Sequence, residues 1–177
     1  MTRMTSYALI ALSLALAFSA CTHSSPGPGA VTAPTPVASG PATSVKFVSA
    51  TASDAVLAPG GSADAVVTLT IQNGYHVNAN PPTFPYLRPT ELVVQTGDGI
   101  SIGLITYPTP ISKQFSFEPK PLAVYEGKAE IKVMLKAKPT AATGPRSLPA
   151  ALSVQACDDK VCYPPGTLQL SLPLNVK

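Results

Sequence analysis

The chain has 177 residues, with 12 Lys and Arg against 9 Asp and Glu for a formal charge of +3. So mild a balance, with no basic stripe, argues against a nucleic-acid partner. Outside the N-terminal region only Met134 is a methionine, which speaks against a Met-rich copper carrier.

The first twenty residues read as an export address. Arg3 supplies a positive start, Tyr7 to Phe18 form a short apolar run, and Phe18-Ser19-Ala20-Cys21 brings small residues before a cysteine. The run is too short for a transmembrane helix. The pattern resembles the lipobox of bacterial lipoproteins, with 1–20 removed and Cys21 acylated, although Phe18 stands where leucine is usual. An ordinary secretory signal that leaves Cys21 a free thiol is the alternative. Both place the mature chain on the periplasmic side, where disulfides persist. Thr22 after the cysteine points to the outer membrane if enterobacterial sorting holds.

Residues 21–43, with Pro26, Pro28, Pro34, Pro36 and Pro41 among Ser, Thr, Gly and Ala, read as an extended tether. The remaining 44–177 is long enough for one compact domain and too short for two. It contains no second long apolar segment, so membrane attachment is expected only through the N-terminal lipid, and the domain is expected to be a monomer.

Within this domain, period-two alternation dominates. Ala65, Val67, Leu69 and Ile71 share one face of 63–71, and Ile131, Val133 and Leu135 share one face of 128–137. Leu168, Leu170, Leu172 and Leu174 do so in 166–176, where the outward Pro173 suggests an edge strand. Shorter candidates are 45–51, 91–96, 101–106 and 150–156, separated by turn signals at Pro59-Gly60-Gly61, Asn73-Gly74, Gly97-Asp98-Gly99 and Gly144-Pro145. About seven short strands with such turns predict an all-β, immunoglobulin-like β-sandwich. Two proline-rich stretches, 75–89 and 115–127, read instead as long irregular loops, and such loops on a compact sandwich are often functional.

The most informative segment is Gln155 to Pro165, where Cys157 and Cys162 are separated by four residues. Strands on either side of a short loop bring such cysteines face to face, with Cα atoms about 4.5–5.5 Å apart. Closing so small a loop stabilises the fold by only about 2 kcal/mol, against about 4.7 for a hundred-residue loop. A pair that staples weakly but forms easily suits redox exchange. A permanent small-loop disulfide in an exported domain is the equally open alternative on spacing alone.

Four motifs in order then bring a resemblance. Gly74-Tyr75-His76-Val77-Asn78-Ala79-Asn80-Pro81-Pro82, Tyr86-Leu87-Arg88-Pro89-Thr90, Leu122-Ala123-Val124-Tyr125-Glu126-Gly127, and Gln155-Ala156-Cys157 to Cys162-Tyr163-Pro164-Pro165 resemble the N-terminal periplasmic domain of the DsbD thiol:disulfide interchange family. The resemblance implies a sandwich whose Cys157 and Cys162 shuttle electrons from a thioredoxin-like donor to disulfide-bearing periplasmic clients. It implies protein-disulfide reductase activity without a cofactor, with Cys162 as the sulfur that bonds to the downstream partner. It also implies that Leu122, Val124, Tyr125, Glu126 and Gly127 form a cap over the pair, Tyr125 being the shielding aromatic. The family's membrane and thioredoxin-like domains are absent from this chain, so the donor is expected to be a separate protein. Ala123 and Val124 replace acidic cap residues, and the cysteine spacing is shorter than in well-known members.

Around the pair, Asp158 and Asp159 disfavour thiolate while Lys160 opposes them, and Tyr163 and Pro164 form a rigid wall beside Cys162. His76 has no visible triad partner, and two cysteines with one histidine give only three zinc ligands. No metal site is therefore expected, and His76 reads as a structural loop residue. Asn78, Asn80 and Tyr86 are expected to pin irregular backbone. The competing function is a protein-binding sandwich whose disulfide only stiffens a loop.

Overall fold

A computed structural model describes residues 43–177. The signal sequence, Cys21 and all but the last residue of the expected tether lie outside the described residues. After a 3-10 turn at Ser44–Lys46 come β1 (Val48–Ala52), β2 (Ala55–Leu57), β3 (Ser62–Ile71), β4 (His76–Asn78), β5 (Glu91–Val94) and β6 (Ile100–Thr106). Then follow β7 (Ile111–Phe115), β8 (Glu118–Tyr125), β9 (Lys128–Ala137), β10 (Gly144–Val154), β11 (Ala156–Cys157) and β12 (Gly166–Val176).

Three four-stranded sheets result, ordered β1-β3-β9-β6, β2-β12-β10-β5 and β11-β4-β8-β7. The alternation that marks β3 and β9 also sets their register. Val67 faces Ile131 and Ala65 faces Val133, all four fully buried. A one-residue slip would turn every one of these side chains to solvent. Leu152 and Leu172 from the second sheet join the same core. Burying each large aliphatic side chain contributes about 1.5–3 kcal/mol, and this shared apolar layer makes the fold an immunoglobulin-like sandwich.

Four expectations are corrected. β12 is not an edge strand, since it lies between β2 and β10. Pro173 is tolerated there because it faces Ser147 and precedes the ladder with β2, which starts only at Leu174. The missing N–H thus falls where no neighbour asks for it. The Gly144-Pro145 turn signal is instead the start of β10, which pairs with β12 from Gly144 onward.

The stretch 115–127 is not an irregular loop but mostly strand, the second arm of a β7–β8 hairpin. Pro119 and Pro121 share the phase of Ala123, whose N–H points away from β7 to Thr83 Oγ1. Both prolines therefore withhold a donor from the open side of the strand, because β4 pairs β8 only at Val124 and Tyr125. His76 likewise sits on strand β4 and not in a loop.

Candidate functional site

The third sheet carries Cys157, on β11. β11 pairs with β4 so that Ala156 faces Val77 and Cys157 faces His76. Val77 in turn faces Tyr125, and Asn78 faces Val124. Side chains alternate across a sheet, so its two faces differ in kind. Ala156, Val77 and Tyr125 belong to the main core. Cys157, His76 and Val124 lie on the other face, where Phe115, Leu122 and Val124 form a second apolar cluster with Phe84 and Leu87.

Cys157 and Cys162 form a disulfide with Cα atoms 3.9 Å apart, closer than the spacing expected of facing strands. The reason is local: the two residues close a tight turn as an isolated antiparallel bridge, and Cys162 belongs to no extended strand. The two sulfur-bearing residues are unequally placed. Cys157 is fully buried, whereas Cys162 is exposed.

Asp158 organises the turn between them. Its Oδ1 accepts the N–H groups of Lys160 and Val161, both at 2.8 Å, and its Oδ2 accepts the Tyr163 hydroxyl at 2.8 Å. The two backbone bonds, Val161 first, and the Tyr163 bond hold the Asp158 carboxyl below its usual pKa. The same bond to Asp158 is the main cause that pushes the Tyr163 phenol up to about 12. Asp158 is thus committed to the turn, while Asp159 is exposed, 4.0 Å from Lys113 Nζ.

Both flanks of the turn are seated on one serine. The Ser44 hydroxyl donates to Pro164 O at 2.8 Å and accepts the Ala156 N–H at 2.8 Å. The Ser44 N–H also donates to Pro164 O at 3.0 Å. Tyr163 packs against Phe47 and Tyr75, which stack on each other at 4.0 Å. Ser44→Ala leaves the buried Ala156 N–H without an acceptor, and a loss of about 2 kcal/mol in urea unfolding is expected.

On the opposite side stands the β7–β8 hairpin. Phe115 stacks on the His76 ring at 4.1 Å and on Phe117 at 5.3 Å. Ser116 Oγ donates to Asp159 O at 3.3 Å, joining the hairpin tip to the cysteine turn. Lys113 pairs with Glu126 at 2.6 Å. His76 is 1% exposed, yet neither ring nitrogen has a hydrogen-bond partner. Burial first, then the Lys113 charge, lower its pKa to about 4.

The sequence profile described as "Thiol:disulfide interchange protein DsbD, N-terminal" matches residues 44–173, most of the chain. The chain belongs to this family. Among solved structures it is similar to the N-terminal periplasmic domain of ScsB from Proteus mirabilis, with a TM-score of 0.51 and 15% identity. That match covers 77% of this chain and 50% of the other, so this chain spans half the length of its structural relative. A family 123 glycoside hydrolase from Clostridium perfringens matches at 12% identity over 73% of this chain and 27% of its own, with a TM-score of 0.33. No curated protein sequence matches.

Within this DsbD N-terminal domain, the residues expected to form the cap divide between the two faces. Leu122 and Val124 lie in the small cluster beneath Phe115. Glu126 holds Lys113, and Gly127 turns the chain with φ +61°. Tyr125 is corrected: it lies on the core face, 4% exposed, its hydroxyl accepting the Asn80 N–H at 3.1 Å. Period-two alternation forbids it from covering Cys157 on the opposite face.

Two aromatics on the cysteine side are Phe115, stacked on His76, and Phe117, stacked on Phe115. The signal for them was the pair Phe115-Ser116-Phe117 itself, masked because two prolines made the following strand look irregular. Asn78 and Asn80 do pin backbone, through Arg88 O at 3.0 Å and Thr90 O at 2.9 Å. Tyr86 instead donates to Glu118 at 2.8 Å.

Proposed function

We propose that this domain exchanges thiols and disulfides with other proteins on the periplasmic side, through Cys157 and Cys162. The observation that carries the reading is the asymmetry of the pair: one exposed cysteine, and one buried cysteine bonded to it within a five-residue separation. An exposed sulfur meets the partner, and a buried one resolves the product. In the reduced domain the Cys162 thiolate attacks a client disulfide, one client sulfur leaves, and a mixed disulfide forms. The Cys157 thiolate then attacks Cys162 Sγ, the mixed bond breaks, and the client departs with two electrons as a dithiol. A thioredoxin-like donor restores the two thiols.

The Phe115–Glu118 hairpin tip is the cap in this reading, taking the place expected for Tyr125. It leans on the turn through Ser116; Phe117 at the tip is 40% exposed, and Val161 in the turn is 53% exposed. Opening breaks the Ser116–Asp159 hydrogen bond and the stack of Phe115 on His76. A partner surface with a matching apolar patch replaces the contacts that opening removes. The domain acts as a monomer on a lipid anchor at Cys21.

The reduction potential tests the reading, measured by equilibration in defined thiol buffers with alkylated thiols counted by mass. A potential above roughly −250 mV is expected, in the range of exchangeable pairs. A value below about −300 mV places the bond with structural disulfides and favours a binding module that the disulfide merely stiffens.

A further inference from the structure

His76 has no structural need of its nitrogens. Its ring is held by stacking on Phe115, which an apolar ring does equally well, and both nitrogens are buried without a partner. Desolvating two polar atoms for nothing is unfavourable, and a buried orphan of this kind asks for a partner in another state of the protein. The register identifies that partner. His76 is the cross-strand neighbour of Cys157, on the same face of the sheet. In the disulfide form Cys157 is tied to Cys162; on reduction it becomes a thiol or thiolate beside the imidazole.

We propose that His76 is the redox-linked hydrogen-bond partner of Cys157, its N–H idle in the disulfide form and donated to Cys157 Sγ once the pair is reduced. Magnitudes separate this from a general-base role. The charged groups around the ring are Lys113 on β7, Glu126 after β8, and Asp158 and Asp159 in the turn. Burial and Lys113 outweigh the three carboxylates and leave the imidazole neutral, with a pKa of about 4. An ordinary thiol titrates near 8.5, so proton transfer from sulfur to this ring is uphill by about four to five powers of ten. A neutral N–H donating to a thiolate carries no such penalty.

The consequence for exchange rests on the reading above. The Cys157 proton leaves to solvent, and its thiolate is held by the His76 N–H. That sulfur attacks Cys162 Sγ as the client thiolate departs. The hydrogen bond itself is testable without any client.

In the full chain, His76→Phe keeps the stack on Phe115 and removes both nitrogens. Wild type and variant are equilibrated in dithiothreitol buffers, and free thiols are counted by mass. The dithiol–disulfide equilibrium of the variant is expected to move about tenfold toward the disulfide, which is about 30 mV for a two-electron couple. In wild type with 15N-labelled histidine, the His76 nitrogen resonances are expected to shift on reduction at neutral pH. Equilibria that agree within about twofold overturn the proposal; if the variant does not fold, unchanged nitrogen resonances on reduction overturn it. A low potential shared by both proteins sinks the exchange reading alone, because the hydrogen bond is read from their difference.

Discussion

Cys157→Ala is expected to convert the domain into a trap that accumulates a mixed disulfide through Cys162. The resolving sulfur is gone while the exposed one remains, so the first exchange proceeds and the second has no nucleophile. Of the pair, the reciprocal variant, Cys162→Ala, leaves only the fully buried Cys157. A local opening costing about 3 kcal/mol reduces the reactive population roughly a hundredfold. Incubating each reduced variant with a small disulfide such as oxidised glutathione, and following adduct mass against time, gives both rates. Equal rates would mean that the turn opens freely and that burial does not assign the roles. The comparison is informative because the loop is short: losing the bond removes only about 2 kcal/mol, so both variants are expected to stay folded.

The long strands were legible because half-buried strands write their burial into alternate residues. β3 and β9 match their expected bounds to within one residue, and their inward sets are those that the alternation singled out. Strand neighbours were less legible. Pro173 suggested an edge because a proline withholds a donor, but which side needs that donor depends on where β2 begins, a fact of tertiary pairing. Pro119 and Pro121 hid β8 for the same reason. The cysteine pair was visible from spacing and surroundings, whereas the cap was placed one strand-face away from where the register puts the aromatics. Tyr125 and Phe115 look alike in sequence; only the pairing of Val77 with Tyr125 and the stacking of His76 on Phe115 tell the faces apart. Ser44 was invisible for a different reason. A serine that bridges both flanks of a turn more than a hundred residues away leaves no local pattern.

Acidification is expected to destabilise the oxidised domain through His76 in a window set by its two pKa values. Unfolded, the imidazole takes its proton near 6.5; folded, at about 4. Between these values the unfolded chain binds more protons, so stability rises with pH and is lost as pH falls. The term is fully present above about pH 6.5, about 1 kcal/mol is gone by about pH 5.5, and about 3 kcal/mol is gone below pH 4. Carboxylates such as Asp158, whose pKa is also lowered, add acid lability of their own, mainly below the usual carboxylate range. His76→Phe separates the two contributions, since it removes the first and leaves the second. Urea unfolding of both proteins at three pH values should therefore show the variant losing less stability than wild type as pH falls, the gap widening by the histidine term. Parallel curves would mean that the imidazole is already solvated or partnered in the disulfide form. The same ring is thus a liability in acid and, at neutral pH, a donor waiting for the sulfur that reduction sets free.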